Sequence, residues 1–477
     1  MYNDTISAIS TALGEGGIGI VRLSGPEALP ILQNIFRTPS GRTRHNFESH
    51  RLYYGRIQEP EEFQPHQILD EVMAVYLAPP RTYTREPMVE INCHGGMIPL
   101  ERVLNLTLRC GTRLAEPGEF TLRAFLNGRL DLAQAEAVLD VVRSKTGPGL
   151  QQALGQLAGN LSHRIKDIRQ HLLSALAHLE AMIDFPEDDV PLVSIAPQIL
   201  ATLTELDTLL ATADAGMIYR QGIRAAIVGI PNVGKSSLLN ALLRSDRAIV
   251  TPIAGTTRDI IEETVNIGGV PVVLVDTAGI TATEDIVERI GIERSRQALS
   301  SADLLLPVLD SSHSLAPADL EILGAVAVEL GFGSDTFKDK NTKSTKRAVV
   351  ILNKADLPSA FDPEQIEQLL PGVARVSISA QHGTNLAELE TAISRAALMG
   401  QNLSGNSLLI SNQRHKRALQ TAREQLAAAL ASAEAGMPAD FVSIDLRLAM
   451  EAIGEITGES VHDSLLKEIF ENFCIGK

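Results

Sequence analysis

The chain contains no tryptophan, and Phe and Tyr together make up only 4% of it. That argues against base-stacking platforms of the kind used by proteins that lie along single strands. Cations are in deficit, with 42 Lys and Arg against 58 Asp and Glu and a net charge of −16. Broad, sequence-independent phosphate binding needs clustered cations, so any nucleic-acid contact is expected to be local or arranged by a partner. Three cysteines, Cys93, Cys110 and Cys474, are too few and too scattered for a disulfide framework or a zinc site. A run of about 18 apolar residues, as a membrane span requires, is missing. The opening MYNDTISAIS lacks a basic leader before an apolar stretch. A reduced, cytoplasmic protein without membrane insertion is expected.

What is present is a succession of textures, and 477 residues suggest about three domains at roughly 150 residues each. Residues 1–125 mix short apolar runs with turn residues, as an α+β domain does. Residues 126–218 carry apolar positions at helical spacing in an Ala-, Leu- and Gln-rich background. Residues 222–398 alternate β-branched runs with helical stretches, the pattern of a doubly wound parallel sheet. Helical texture returns over 399–477. The predicted architecture is a multidomain α/β chain in which a Ras-like P-loop domain is inserted between two parts of one helical domain. The polar, Lys-rich stretch 331–347 reads as an exposed loop.

The inserted segment carries four ordered motifs. GIPNVGKS (229–236) follows an apolar strand and precedes a helical SLLNALL. Gly229 and Gly234 allow backbone amides to curl around phosphate, with Asn232, Val233, Ser236 and Ser237 in the same loop. Lys235 reaches the terminal phosphates and Ser236 can ligate Mg²⁺. The stretch Thr251, Pro252, Ile253, Ala254, Gly255, Thr256, Thr257 offers adjacent hydroxyls to the metal shell. Asp276, Thr277, Ala278 and Gly279 follow a second strand, where the carboxylate can hold the metal shell and the Gly279 amide can meet the γ-phosphate. Asn353, Lys354, Ala355 and Asp356 then select the base: guanine presents two neighbouring donors that one carboxylate accepts, whereas adenine presents an acceptor there. Asn353 can brace the loop, the Lys354 stem can lie over the ring, and Ser379 and Ala380 can offer a backbone amide to the guanine oxygen. GTP is the expected substrate.

The residue after Gly279 is Ile280, where many GTP-hydrolysing switches have a Gln that orients water. Other groups must supply that function. Asn232, with oxygens of Thr251, Ile253 and Thr256, could hold a monovalent cation against the phosphates. Glu284, Asp285 and Glu288 are candidate water-positioning carboxylates, and spacing alone does not choose among them.

GGIGIVR, EPGEFTLRAFLNGRLDLAQAEA, GIPNVGKSSLLN, TPIAGTTRD, DTAGI, VERIGIERS and the terminal FCIGK together resemble the MnmE (TrmE) family of bacterial and organellar tRNA-modification GTPases, from the first residues to the last. The resemblance implies an N-terminal tetrahydrofolate-binding and dimerisation domain, a helical domain in two segments and an inserted G domain. It also implies a homodimer that works with the flavoprotein MnmG (GidA), in a heterotetrameric or larger complex, on the C5 atom of the wobble uridine of certain tRNAs. A folate, 5,10-methylenetetrahydrofolate or its analogue 5-formyltetrahydrofolate, would supply the one-carbon unit of the (carboxymethyl)aminomethyl group. K⁺ would stimulate GTP hydrolysis, coupled to G-domain dimerisation.

Carried over by position, the resemblance places K⁺ on Asn232, Thr251, Ile253 and Thr256, Mg²⁺ on Ser236 and Thr257, and water orientation on Glu288. Folate falls on Arg22, Glu90, Arg129 and Lys477. Arg129 departs from the Lys of many members, which changes donor geometry, and 331–347 is similar to an insertion. Cys474 reads from composition as a small buried residue, and from the resemblance as a functional cysteine near the folate pocket. His94, ahead of Gly95 and Gly96, reads as part of a tight turn. The competing reading is a ribosome-assembly GTPase switch that binds rRNA, for which RHKR (414–417) is the one small basic cluster on the flanks.

Overall fold

The computed structural model describes residues 3–61, 63, 67–184, 195–245, 262–275, 299–332, 346–360, 362, 364–400 and 409–477. The chain divides into two compact units. One comprises residues 1–139, 156–170 and 450–477, the other residues 140–155 and 171–449.

The first unit is built on a seven-stranded sheet ordered β3-β4-β5-β6-β2-β1-β7. Its strands are β1 (Ile6–Ile9), β2 (Gly16–Ser24), β3 (Phe36–Arg37), β4 (Leu52–Gln58), β5 (Ile68–Leu77), β6 (Met88–Gly95) and β7 (Arg113–Leu114). Strand period decides which side chains enter the core. In β6, Val89, Ile91 and Cys93 are buried, while Glu90, Asn92 and His94 face the other way. The helices Ala28–Ile35 and Met97–Arg109 cover that inner face with Ile31, Leu32, Ile35, Leu100, Val103 and Leu106, which recur at three and four spacing. His94 lies in a strand rather than a turn, and its Nδ1 meets Asp70 Oδ1 at 2.6 Å.

The helix Glu119–Leu126 carries a fully buried arginine, Arg123. A buried guanidinium is tolerable only when its donors are matched. Arg123 reaches Asp4 Oδ1 at 2.7 Å, Glu119 Oε1 at 2.9 Å and Glu86 Oε2 at 3.3 Å. Arg113 shares Asp4 and Glu119 with it. A smaller core of Leu132, Ala135, Leu139, Phe470 and Phe473 joins the helix Leu132–Arg143 to the helix Asp463–Glu471.

The second unit holds a six-stranded sheet ordered β13-β12-β11-β8-β10-β9. These are β8 (Ile223–Val228), β9 (Glu262–Ile267), β10 (Val270–Val275), β11 (Leu304–Asp310), β12 (Arg347–Asn353) and β13 (Ala374–Ser377). All neighbours are parallel except the β9–β10 hairpin. That hairpin turns on Gly268 (φ 57°) and Gly269 (φ 86°), the left-handed pair that a two-residue turn of this hand demands.

The continuous apolar runs follow from burial on both faces. Ala225 and Ile227 of β8 pack with Leu238, Leu242, Leu389 and Ile393 on one side, from the helices Lys235–Ser245 and Leu386–Ala397. Ala226 and Val228 pack on the other with Leu323, Val326 and Ile366, from the helices Pro317–Leu330 and Glu364–Leu369. This is the predicted doubly wound layering. The same unit contains the helix pair Ala196–Ala211 and Gln413–Glu434, joined by the Arg423–Asp207 ion pair. Among the described residues no helix is long and apolar enough to cross a membrane.

Candidate functional site

β8 ends at Val228, and the chain turns through 229–234 into the helix that starts at Lys235. Two residues of this loop adopt left-handed backbone, Asn232 (φ 66°) and Gly234 (φ 97°). A Cβ on Gly234 would collide with Asn353 Nδ2, so only glycine lets the end of β12 come this close. Asn353 itself is buried and used at both ends. Its Nδ2 donates to Val233 O at 2.7 Å, and its Oδ1 accepts from the Ala380 amide at 3.0 Å. One side chain at the end of β12 thus ties the phosphate loop to the Ser379–Ala380 loop, the bracing expected of it.

Lys235 Nζ donates to the carbonyls of Gly229 and Ile230, both at 2.8 Å. Ser236 and Asn232 are exposed, and their side chains make no hydrogen bond among the described residues. A hydroxyl at a helix N-terminus and an amide carbonyl are suitable donors for Mg²⁺ and for a monovalent cation respectively. The remaining expected ligands and switch residues, Thr251, Pro252, Ile253, Ala254, Gly255, Thr256, Thr257, Asp276, Thr277, Ala278, Gly279, Ile280, Glu284, Asp285 and Glu288, lie outside the described residues, as do 333–345 of the Lys-rich stretch.

Lys354 is also left-handed (φ 63°), and its Nζ meets Asp310 Oδ2 at 2.6 Å at the end of β11. Burial would raise the Asp310 carboxyl, but hydrogen bonds from Lys354 and from Ser312 outweigh it and hold the pKa at about 2. Asp310 was not singled out from the sequence, because an Asp closing an apolar strand looks like an ordinary solvated end. A hydrogen bond from Ser379 lowers the Asp356 pKa, and His382 Nε2 lies 3.8 Å from that carboxylate. The Ala380 amide serves Asn353 and the Ser379 amide donates to Thr384 O at 3.2 Å, so a guanine oxygen would compete for either one.

A second cluster lies in the first unit. Arg22 on β2 stands opposite Glu90 on β6 in the sheet register, with Arg22 Nε 2.9 Å from Glu90 Oε1. Its Nη1 donates to Gly476 O at 3.3 Å, which brings the C-terminal residues to the strand. The guanidinium groups of Arg22 and Arg129 lie 5.8 and 4.6 Å from the centre of the Tyr83 ring, and Arg129 Nη1 donates to Tyr83 O at 3.1 Å. Lys477 is lowered by burial, with repulsion from Arg22 adding to it. An anion between these cations would relieve both effects, so the donor set fits an acidic ligand. Tyr83 is the residue missed here, since RTYTREP shows nothing in sequence that marks its ring as a cation seat. Cys474 is exposed, against the buried reading, while Cys93 is buried and burial pushes its thiol up to about 12.

The basic RHKR cluster is largely consumed internally. His415 is fully buried and takes Arg414 Nη2 at 2.9 Å, and Lys416 pairs with Asp214 at 2.8 Å.

Comparison with known proteins agrees with this layout. Residues 5–129 match the family model described as the GTP-binding protein TrmE N-terminus, and residues 132–474 match the MnmE helical domain. The chain is 46% identical over 481 residues to the tRNA modification GTPase MnmE of Alkaliphilus oremlandii, covering 100% of both. It is 48% identical to that of Geobacillus kaustophilus over 480 residues, covering 99% of each chain. For Bacillus subtilis the figures are 47% over 479 residues, 99% of this chain and 100% of the other. From its N-terminal sheet to its last helix, the chain belongs to the MnmE family of tRNA modification GTPases.

Proposed function

We propose that this chain is a cytoplasmic, K⁺-dependent GTPase that acts with the flavoprotein MnmG on tRNA, building a (carboxymethyl)aminomethyl group at C5 of the wobble uridine with a one-carbon unit from 5,10-methylenetetrahydrofolate. The observation that carries the GTPase reading is the Asn353 bridge, which holds the phosphate loop and the base-selecting loop as one piece. Lys235 sits where it can exchange the Gly229 and Ile230 carbonyls for phosphate oxygens, and Asp356 is held as a carboxylate to accept both guanine donors. Full-length likeness to relatives named tRNA modification GTPase supports tRNA as the substrate class.

Asn232 offers an exposed side-chain carbonyl to K⁺, and Ser236 an exposed hydroxyl to Mg²⁺. Thr251, Ile253, Thr256 and Thr257 would complete those shells. A cation bound there supplies positive charge to the developing negative charge of phosphoryl transfer, as an arginine finger does. Glu288 then orients water, which leaves Ile280 no catalytic task. Arg22, Arg129 and Lys477 would receive the folate's carboxylates, with Glu90 holding Arg22 in place. A homodimer through the N-terminal unit, and G-domain dimerisation during hydrolysis, belong to the same reading, as do the domain limits 1–125, 126–218, 222–398 and 399–477.

The test is GTP turnover in matched KCl and NaCl for wild type, Asn232→Ala and Glu288→Ala. Strong acceleration by K⁺, lost in both variants while nucleotide still binds, is expected. Equal rates in the two salts would remove the cation from the mechanism. Within RHKR, Arg414, His415 and Lys416 are engaged within the protein, which leaves the rRNA-switch reading only Arg417 of that cluster as an exposed cation.

A further inference from the structure

Residues 144–152 form a joint on which three parts of the second unit converge. The helix Leu132–Arg143 ends where Ser144 Oγ donates to Asp140 O at 2.6 Å. Lys145 Nζ then donates to Thr264 Oγ1 on β9 at 3.2 Å. Pro148 packs on the β9–β10 turn so closely that a Cβ on Gly269 would lie 2.9 Å from its Cγ. From the other side, Arg220 Nε donates to Asp140 Oδ1 at 2.7 Å, with both side chains mostly buried. Arg220 lies in the helix Ala213–Gln221, which leads directly into β8 and the phosphate loop. Gln152 Nε2 reaches Leu409 O at 3.4 Å, on the segment that leaves the G domain.

A cavity of about 20 Å³ at this joint is lined by Arg143, Ser144, Gln152, Tyr219 and Ser411. That is room for one water. Gln152 Oε1 is buried there without a partner among the described residues. The joint is therefore polar, tightly fitted on two sides and incompletely packed in its middle. Directional polar contacts, and not a filled apolar core, therefore hold this joint together.

β9 begins three residues after Asp259, the last residue of GTTRD. The hairpin that Lys145 and Pro148 grip is thus the first described element after the expected metal-binding hydroxyls. We infer that Asp140, Arg220 and Lys145 are positioning residues that couple the nucleotide state of the G domain to the helices flanking it. This rests on the GTPase reading above. The ion pair joins Asp140 to Arg220 and the hydrogen bond joins Lys145 to Thr264, away from the phosphate loop, so the three should govern transmission and not nucleotide binding.

The test is hydrogen–deuterium exchange of the full-length protein in KCl, with GDP alone and with GDP plus aluminium fluoride, alongside the affinity for a fluorescent GDP analogue. In wild type, exchange in 144–157 and 213–221 should differ at least twofold between the two states. Arg220→Gln and Lys145→Met should abolish that difference while leaving the analogue's Kd within twofold, and the reversed pair Asp140→Arg with Arg220→Asp should restore it. Should Arg220→Gln not fold, Lys145→Met at its exposed loop position decides alone. A wild type that binds GDP without any difference at these segments, or a difference that survives in both variants, overturns the inference. Failure of wild type to bind the analogue sinks the GTPase reading itself, and the joint with it.

Discussion

Asn353 Nδ2 donates to Val233 O at 2.7 Å, so the residue that opens NKAD is fastened to the middle of the phosphate loop. Asn353→Ala would leave Val233 O and the Ala380 amide unpaired in buried positions. The expected loss is about 2 kcal/mol of stability, together with weaker binding of GDP and GMP alike. Urea denaturation and nucleotide titration check it.

Asp356→Asn replaces an acceptor with a group that presents one acceptor and one donor face. Guanine should lose at least tenfold in affinity, about 1.4 kcal/mol, while xanthine, with a carbonyl where guanine has its amino group, should gain. Competition between GDP and XDP for a fluorescent nucleotide reads the exchange of preference. Unchanged selectivity would remove Asp356 from the base site.

Asp310 titrates from 3.8 in an unfolded chain to about 2 in the fold. A depressed carboxyl contributes stability that is present above 3.8 and lost as pH falls through about 2. After allowance for solvent screening, this amounts to about 1 kcal/mol. Urea midpoints between pH 5 and pH 2, each value on the order of one unit apart, should fall less steeply in Asp310→Asn than in wild type.

The thiols should separate by accessibility. Cys474 is exposed, Cys110 half-buried and Cys93 buried with a pKa of about 12. At pH 8 the Cys93 thiolate fraction is on the order of 10⁻⁴. A maleimide should therefore label Cys474 first and Cys93 only after denaturation, as peptide mass mapping over time would record.

Arg123→Met should destabilise the first unit by about 3–5 kcal/mol, because Glu119 is left charged and buried with Arg113 as its remaining cation. Denaturant titration followed at the N-terminal sheet measures this. A change below about 1 kcal/mol would mean that the network contributes little.

The phosphate loop was legible because its evidence is local: an apolar strand, spaced glycines, a lysine and a helical run lie within a few residues of one another. The same holds for NKAD, where the order of motifs supplies the chemistry. Arg123 was not legible. In TLRAF it looks like a solvated helix residue, and its partner Asp4 lies 119 positions away. The pairing of the Lys354 ammonium with Asp310 was not legible either, because that contact is set by the neighbouring strand. Tyr83 escaped for the same reason, since Arg22 and Arg129 reach its ring only after the sheet and the helices assemble.

The first unit combines residues 1–139 and 156–170 with residues 450–477. A ribosome adding about 5–20 residues each second needs on the order of tens of seconds to cover the distance from residue 170 to residue 450. Throughout that interval Leu132, Ala135 and Leu139 await Phe470 and Phe473, which close their core. The nascent chain must therefore display an apolar helix stripe long after its N-terminal sheet has emerged, which makes that stripe a natural binding site for a holding chaperone during synthesis.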